Sequence, residues 1–286
     1  MPTNKQRRVA AQRRLQRQLE RRAELARKRR RNLLVVVTVM AVVLVAGAVA
    51  LVAGLGGDDD DSAQAAASSS SAAATEGTEA TAAPAVTNAD GTVTCTYAPD
   101  TSGNPNLTDV GTPPDPASTP ASGTVQLLMS TDQGDVPLTL DRAKAPCAAA
   151  SFAFLASQRF FDGSTCHREV NQPTFGVLQC GDPTGTGSGG PTYKFAEEVT
   201  PETTYPRGTI AMANSGTPGS TGSQFFLCFV DTDLPPDYTA VGTVDEAGLA
   251  VLDTIAAAGN DGSFEPSPGG GAPNLPVTIT SMTVVA

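Results

Sequence analysis

GTIAMANSGTPGSTGSQFFLCF, residues 208–229, places short apolar runs at 209–213 and 224–230 on either side of a loop of Asn, Ser, Gly, Thr and Pro. Runs of this length bounded by turn residues read as strands buried in a sheet. Another such run lies upstream at 176–180, again between Gly- and Pro-rich segments. Further out, Val125, Leu127 and Met129 alternate with polar residues, Asp132-Gln133-Gly134 supplies a turn, and Val136, Leu138 and Leu140 alternate again. This pattern predicts a hairpin. Residues 143–157 are Ala-rich, with Pro146 where a first helical turn tolerates it, and residues 248–257 read as a second helix. The segment 277–285 closes the chain as a strand whose alternation breaks near Ser281. Many short strands with two helices predict a mainly β fold, a closed barrel capped by the helices. Residues 123–286 are enough for one ordinary domain.

The rest of the chain differs in kind. Of 19 Lys and Arg residues, 13 lie within residues 1–32 beside only Glu20 and Glu24, so the tail carries +11 and everything after it −21. The acidic remainder repels phosphate, which excludes a nucleic-acid partner for the C-terminal half. Residues 33–55 run without a charge between RKRRR (27–31) and DDDD (58–61). About 20 helical residues cross a bilayer core, so this is read as a transmembrane helix. The positive-inside rule puts residues 1–32 in the cytoplasm as a basic tail, which makes a single-pass protein of the cell membrane with its larger part outside. A cleavable signal peptide with Ala63-Gln64-Ala65 at its cleavage site is the competing reading, but its apolar region is only about 7 to 15 residues long. All Phe and Tyr residues lie beyond position 96. Residues 56–122, rich in Ala, Ser, Thr, acid and then proline, therefore read as an extracytoplasmic low-complexity linker, with a brief strand-like stretch at 91–98.

Several chemistries are excluded. The loop 181–190 is glycine-rich, but it lacks the Lys-Ser/Thr of a phosphate cradle and Pro191 follows it. Cys166 and His167 are adjacent, and in a strand they point to opposite faces, so a zinc site with Cys180 and Asp182 is not expected. His167 is the only histidine, and no serine stands in a nucleophile elbow, so a hydrolase has no support. An oxidising exterior favours disulfides. Cys166 with Cys180 on neighbouring strands suits one, and Cys95 with Cys147 is a second pairing that leaves Cys228 free. Spacing alone does not decide the connectivity.

The strings FDGSTCHREV (161–170), VLQCGDPTGTGSGGPTYKF (177–195) and the 208–229 stretch, in this order, resemble the cyclophilin family of peptidyl-prolyl isomerases. The likeness covers about residues 123–286, and the anchor with its tether is similar to membrane-bound bacterial members. It implies a closed eight-stranded antiparallel barrel capped by two α-helices, with a peptide groove that acts on Xaa-Pro bonds of exported proteins. It implies Arg168 as the catalytic residue and Phe226, Met212 and Leu234 as the lining of the proline pocket. Gln179 and Gln224 would position the peptide, and Ala213 and Asn214 would do so chiefly through main-chain groups. The family's pocket Trp aligns with Leu234 and its pocket His with Tyr238. Between His167 and Gln179 this chain is longer than the family pattern, so the pocket aromatic falls either at Phe175 or at a lost position near Gly176. Amide rotation breaks no bond, so neither metal nor cofactor is expected. The catalytic domain is expected to act as a monomer. The alternative function is a proline-peptide binding or chaperone module using the same groove without turnover.

Overall fold

The computed structural model describes residues 85–285. The basic tail, the 33–55 helix and the linker up to residue 84 lie outside the described residues. Among the described residues, no helix is long and apolar enough to cross a membrane.

The chain opens with five short strands, β1 (Val86–Thr87), β2 (Thr92–Thr94), β3 (Ala98–Pro99), β4 (Leu107–Thr108) and β5 (Thr119–Pro120). The predicted hairpin follows as β6 (Thr124–Thr131) and β7 (Gly134–Asp141), paired from Thr124↔Asp141 to Thr131↔Gly134. Its alternation sends Val125, Leu127, Met129, Val136, Leu138 and Leu140 into the core. The first helix, α1 (Pro146–Ser157), has Pro146 in its opening turn. Glu198 caps it from a distant loop, its two oxygens accepting from the amides of Cys147 (2.9 Å) and Ala148 (2.8 Å). The carboxylate thus satisfies two amides that no helical carbonyl can reach. Next come β8 (Arg168–Gln172), β9 (Phe175–Cys180), β10 (Gly190–Pro191), β11 (Tyr193–Lys194), β12 (Thr209–Met212), β13 (Phe225–Cys228) and β14 (Ala240–Val244). The second helix, α2 (Glu246–Ala258), is capped by Asp245, whose side chain accepts from Gly248 N. The last strand is β15 (Ile279–Val285), with an irregular register between Ile279 and Ser281 where the sequence alternation breaks.

Eight strands form one sheet in the order β15-β6-β7-β14-β12-β13-β9-β8. The expected closed barrel is corrected here. The end strands β15 and β8 share no ladder, and the segments leading into them are joined by an isolated Thr165↔Thr278 bridge and a bond from Gly163 N to Ile279 O. The result is a curled half-barrel whose concave side is filled by Phe152, Phe161, Phe225 and their aliphatic neighbours, with Phe152 and Phe225 ring centroids 4.8 Å apart.

Residues 85–122 are not the linker that their composition suggests. β1, β2 and β5 form a small sheet, β3 pairs with β11, and β4 runs parallel to β10. Tyr97 packs edge-on against Tyr193 and Phe195, and its hydroxyl donates to Cys147 O. The segment has too few apolar residues for a core of its own and borrows that of the domain. Both disulfides anticipated from the sequence are present, Cys95–Cys147 and Cys166–Cys180, and Cys228 is free and buried. The first closes a loop 52 residues long, for which chain entropy gives a contribution of about 4 kcal/mol. Cys95→Ala combined with Cys147→Ala is therefore expected to lower the unfolding free energy from denaturant titration by that order, with a lower midpoint. An unchanged midpoint would show that the segment holds without its covalent tie.

Candidate functional site

Beneath the convex side of β12, β13 and β9 lies a second apolar group, Val170, Val177, Tyr205, Ala211, Phe226 and Cys228, with Phe175, Ala213, Leu234 and Tyr238 at its margin. It lines a cavity of ≈550 Å³ whose walls include Arg168, Phe175, Gln179, Ala213, Asn214, Phe226, Leu234 and Tyr238. Eight of the ten residues expected at the site are therefore brought together. Gln224 does not line this cavity and lies one step behind Gln179. Met212 is a correction. Ala211 and Ala213 face the groove, so strand alternation turns Met212 inward, where it is 1 % exposed in the main core.

Phe226 is the floor. It is 5 % exposed and stands edge-on to Tyr238, with centroids 5.5 Å apart. The loop bearing Leu234 and Tyr238 is pinned from below by Tyr205, whose hydroxyl accepts from Tyr238 N and shares its one proton between Tyr238 O (2.9 Å) and Pro235 O (3.2 Å). Asn214 Nδ2 donates to Asp237 O (2.8 Å) and ties the same loop to the end of β12. Tyr205 was not legible as a site residue because it acts from beneath the groove.

Of the two alternatives for the pocket aromatic, Phe175 lines the cavity. Gly176 could carry no side chain, since a Cβ there would stand 2.6 Å from both Phe229 Cε2 and Val230 Cγ2. Phe175 lies instead under the guanidinium, with Arg168 Cζ 5.9 Å from its ring centroid, a cation–π distance.

Arg168 begins β8 and is held on three sides. Nη1 donates to Gln179 Oε1 (3.0 Å), Nε to Gly269 O (3.0 Å) and Nη2 to Pro268 O (2.9 Å). Gln179 Nε2 donates in turn to Gln224 Oε1, and Gln224 Nε2 to the carbonyls of Gly187 and Gly189. Gln224 thus acts through Gln179. Burial lowers the Arg168 pKa, with Tyr238 and Glu265 acting the other way, and an arginine stays protonated at any working pH. A guanidinium has five N–H donors, and three are used, which leaves two for a ligand in the cavity. Pro268 and Phe264 complete the wall from the 259–271 loop. Sequence reasoning missed them because that loop has no period and meets Arg168 from about a hundred residues away.

The neighbours of Arg168 offer no nucleophile. His167 lines the cavity with its pKa lowered by burial, and its Nδ1 has no partner. Burial pushes the Cys228 thiol up to about 12, so no thiolate forms near neutral pH. Among the described residues, no group of three or more His, Cys, Asp or Glu stands together as a metal site requires.

Glu169, beside Arg168, is fully buried with Oε2 unpartnered and only a long 3.5 Å contact from Asn171 to Oε1. Burial raises its pKa from 4.5 to about 7. Between these values the folded chain keeps a proton that the unfolded chain has lost, so stability falls as pH rises through this window. The Tm advantage of Glu169→Gln over wild type is expected to grow from about pH 4.5 to about pH 7 and then level off. An advantage independent of pH would contradict a buried protonated carboxyl at this position.

The antiparallel half-barrel thus carries an apolar cavity beside a braced guanidinium. The family model for cyclophilin type peptidyl-prolyl cis-trans isomerases matches residues 126–284, and the chain belongs to that family. Over 182 residues it is 45 % identical to the probable peptidyl-prolyl cis-trans isomerase B of Mycobacterium tuberculosis, covering 59 % of this chain and 56 % of that protein. The chain therefore spans a little over half the length of that relative. It is 35 % identical over 179 residues to peptidyl-prolyl cis-trans isomerase A of the same organism, covering 56 % of this chain and 92 % of that protein. A solved structure of a cyclophilin type isomerase from Cryptosporidium parvum is 27 % identical, with a TM-score of 0.49 over 57 % of this chain and 99 % of that one.

Proposed function

We propose that the protein is a peptidyl-prolyl cis-trans isomerase that turns over Xaa-Pro bonds of exported polypeptides from the outer side of the cytoplasmic membrane. The observation that carries the activity is the fixed Arg168 guanidinium, with two N–H groups unspent, at the rim of the Phe226 pocket. Rotation about an Xaa-Pro bond is slow because amide resonance sets a barrier of about 18 to 20 kcal/mol. Resonance is lost in the twisted state, and the prolyl nitrogen becomes pyramidal and able to accept a hydrogen bond. A donor already oriented and partly desolvated favours that state over the planar one, and only such differential binding accelerates the step. Phe226, Leu234 and Tyr238 would hold the pyrrolidine ring while the preceding residue turns. The reaction needs no proton transfer, which fits a neutral His167 and an un-ionised Cys228.

A protease-free isomerisation assay on a short Pro peptide, run with the full chain, tests this reading. Catalysed exchange supports it. Saturable binding without acceleration would leave a proline-peptide binding module instead.

The placement rests on the uncharged run at 33–55 with its basic N-side, and two disulfides suit an oxidising exterior. Protease added to intact spheroplasts is expected to remove the domain and spare the tail. A protected domain would reverse the orientation. Finding the Cys166 and Cys180 thiols free in protein from its native compartment would argue against export.

A further inference from the structure

Phe264 stands apart from every other phenylalanine of the protein. There are ten, and all but this one pack into one of the two apolar groups. Phe264 is half-buried and instead lines the ≈550 Å³ cavity together with Pro268. Both come from the loop between α2 and β15, and that loop is fixed in place. Phe264 N donates to Gly270 O (2.9 Å) and Gly269 N to Phe264 O (3.0 Å), so the loop closes on itself. Asp261 Oδ1 accepts from Ser263 N and Ala272 N, both at 2.9 Å, and ties its two ends. The closed loop is fastened to β8, where Glu169 and Gly271 exchange both main-chain bonds (2.8 and 3.0 Å). Gly270, with φ at 75°, lies so close to β8 that a Cβ would run into Glu169 O. The carbonyls of Pro268 and Gly269 hold the Nη2 and Nε side of Arg168, while Gln179 holds Nη1.

We infer that Phe264, with Pro268 beside it, is a specificity determinant of the groove, an apolar wall that receives an aliphatic or aromatic side chain from a residue next to the proline. The inference rests on the reading of the Phe226 cavity as the proline site. What the two residues can offer a guest is set by their hydrogen bonds. Both main-chain groups of Phe264 are paired within the loop, the Pro268 carbonyl is taken by Arg168, and a proline has no N–H. Only carbon surface is left. A polar guest set against this wall gives up water and gains no partner, whereas an apolar one removes its own surface and that of Phe264 from water together. Reach is sufficient, because consecutive residues of an extended peptide lie about 3.3 to 3.6 Å apart and Phe226 and Phe264 line the same cavity. The wall adjoins the carbonyls that brace the guanidinium, so a side chain seated on it holds the peptide beside the two unspent N–H groups.

The test uses the full chain and peptides in which the residue before the proline, and then the residue after it, is Ala, Ser, Asn, Leu or Phe, with affinity and kcat/KM measured for each. At one of the two positions Leu and Phe are expected to exceed Ala, Ser and Asn by about 5- to 10-fold, which corresponds to covering roughly 40 to 55 Å² of apolar surface. Phe264→Ala is expected to bring that ratio close to one, and Phe264→Leu to keep part of it. Should the alanine disturb the loop, Phe264→Gln retains a long side chain without the apolar face and is expected to abolish the preference as well. A wild type without preference for Leu and Phe at either position overturns the inference. So does a substitution that lowers turnover of the Ala and Phe peptides by one common factor, because the ring would then serve the fold of the loop and not the guest. Preferential binding of the Leu and Phe peptides without acceleration would remove the isomerase reading and keep the wall, and absence of all binding would remove both.

Discussion

Arg168→Ala is expected to lower kcat/KM on an Xaa-Pro peptide by one to three orders of magnitude, the scale of losing a preorganised donor. The side chain makes three bonds that fix it in place and none that secures the core, since its partners are Gln179 Oε1 and two carbonyls of the 259–271 loop. The fold should therefore remain, with unchanged circular dichroism. Arg168→Lys is expected to recover little. An ammonium cannot reproduce a planar fork that meets Gln179, Pro268 and Gly269 while keeping two N–H groups free. The loss should fall mainly on kcat, because the Phe226 pocket still binds the ring when the donor is gone. Near-normal turnover in Arg168→Ala would remove the guanidinium from the chemistry and return the groove to a binding role.

The parts of this molecule that were legible in the sequence are those fixed by local period or by contiguous motifs. Alternation placed β6 and β7 in register because a one-residue slip would expose Leu127, Met129, Val136 and Leu138 together. Arg168 and Phe226 came from ordered motifs whose strands the structure sets two apart in the sheet, β8 and β13 on either side of β9. Met212 failed for a reason the same alternation contains, since a strand with Ala211 and Ala213 on the groove face must turn Met212 inward. Composition misled at residues 85–122, because proline and small polar residues there are ordered by Tyr193, Phe195 and Cys147 rather than by one another. Nothing local marks Pro268 and Gly269 as partners of Arg168, and nothing in the string CHREV says that Glu169 is buried without a full set of hydrogen bonds.

The cavity wall at Leu234 leads to the second large effect. Family resemblance suggests the cyclic peptide cyclosporin as a groove ligand, and in sensitive members an indole at this position gives it an apolar face and an N–H donor. Leu234 lines the cavity with neither ring nor donor. The loss of one hydrogen bond and part of an aromatic contact corresponds to about 2 to 3 kcal/mol, or roughly 30- to 150-fold in affinity. Wild type is therefore expected to be weakly inhibited, and Leu234→Trp to gain affinity by that factor. Turnover of a small Pro peptide should change much less, since the groups proposed to hold it are Arg168 and Phe226 and the loop bearing residue 234 stays pinned by Tyr205. The comparison needs inhibition and turnover measured on both proteins. Tight inhibition of the wild type, or no gain from the tryptophan, would mean that the inhibitor does not reach this wall, whatever its side chain.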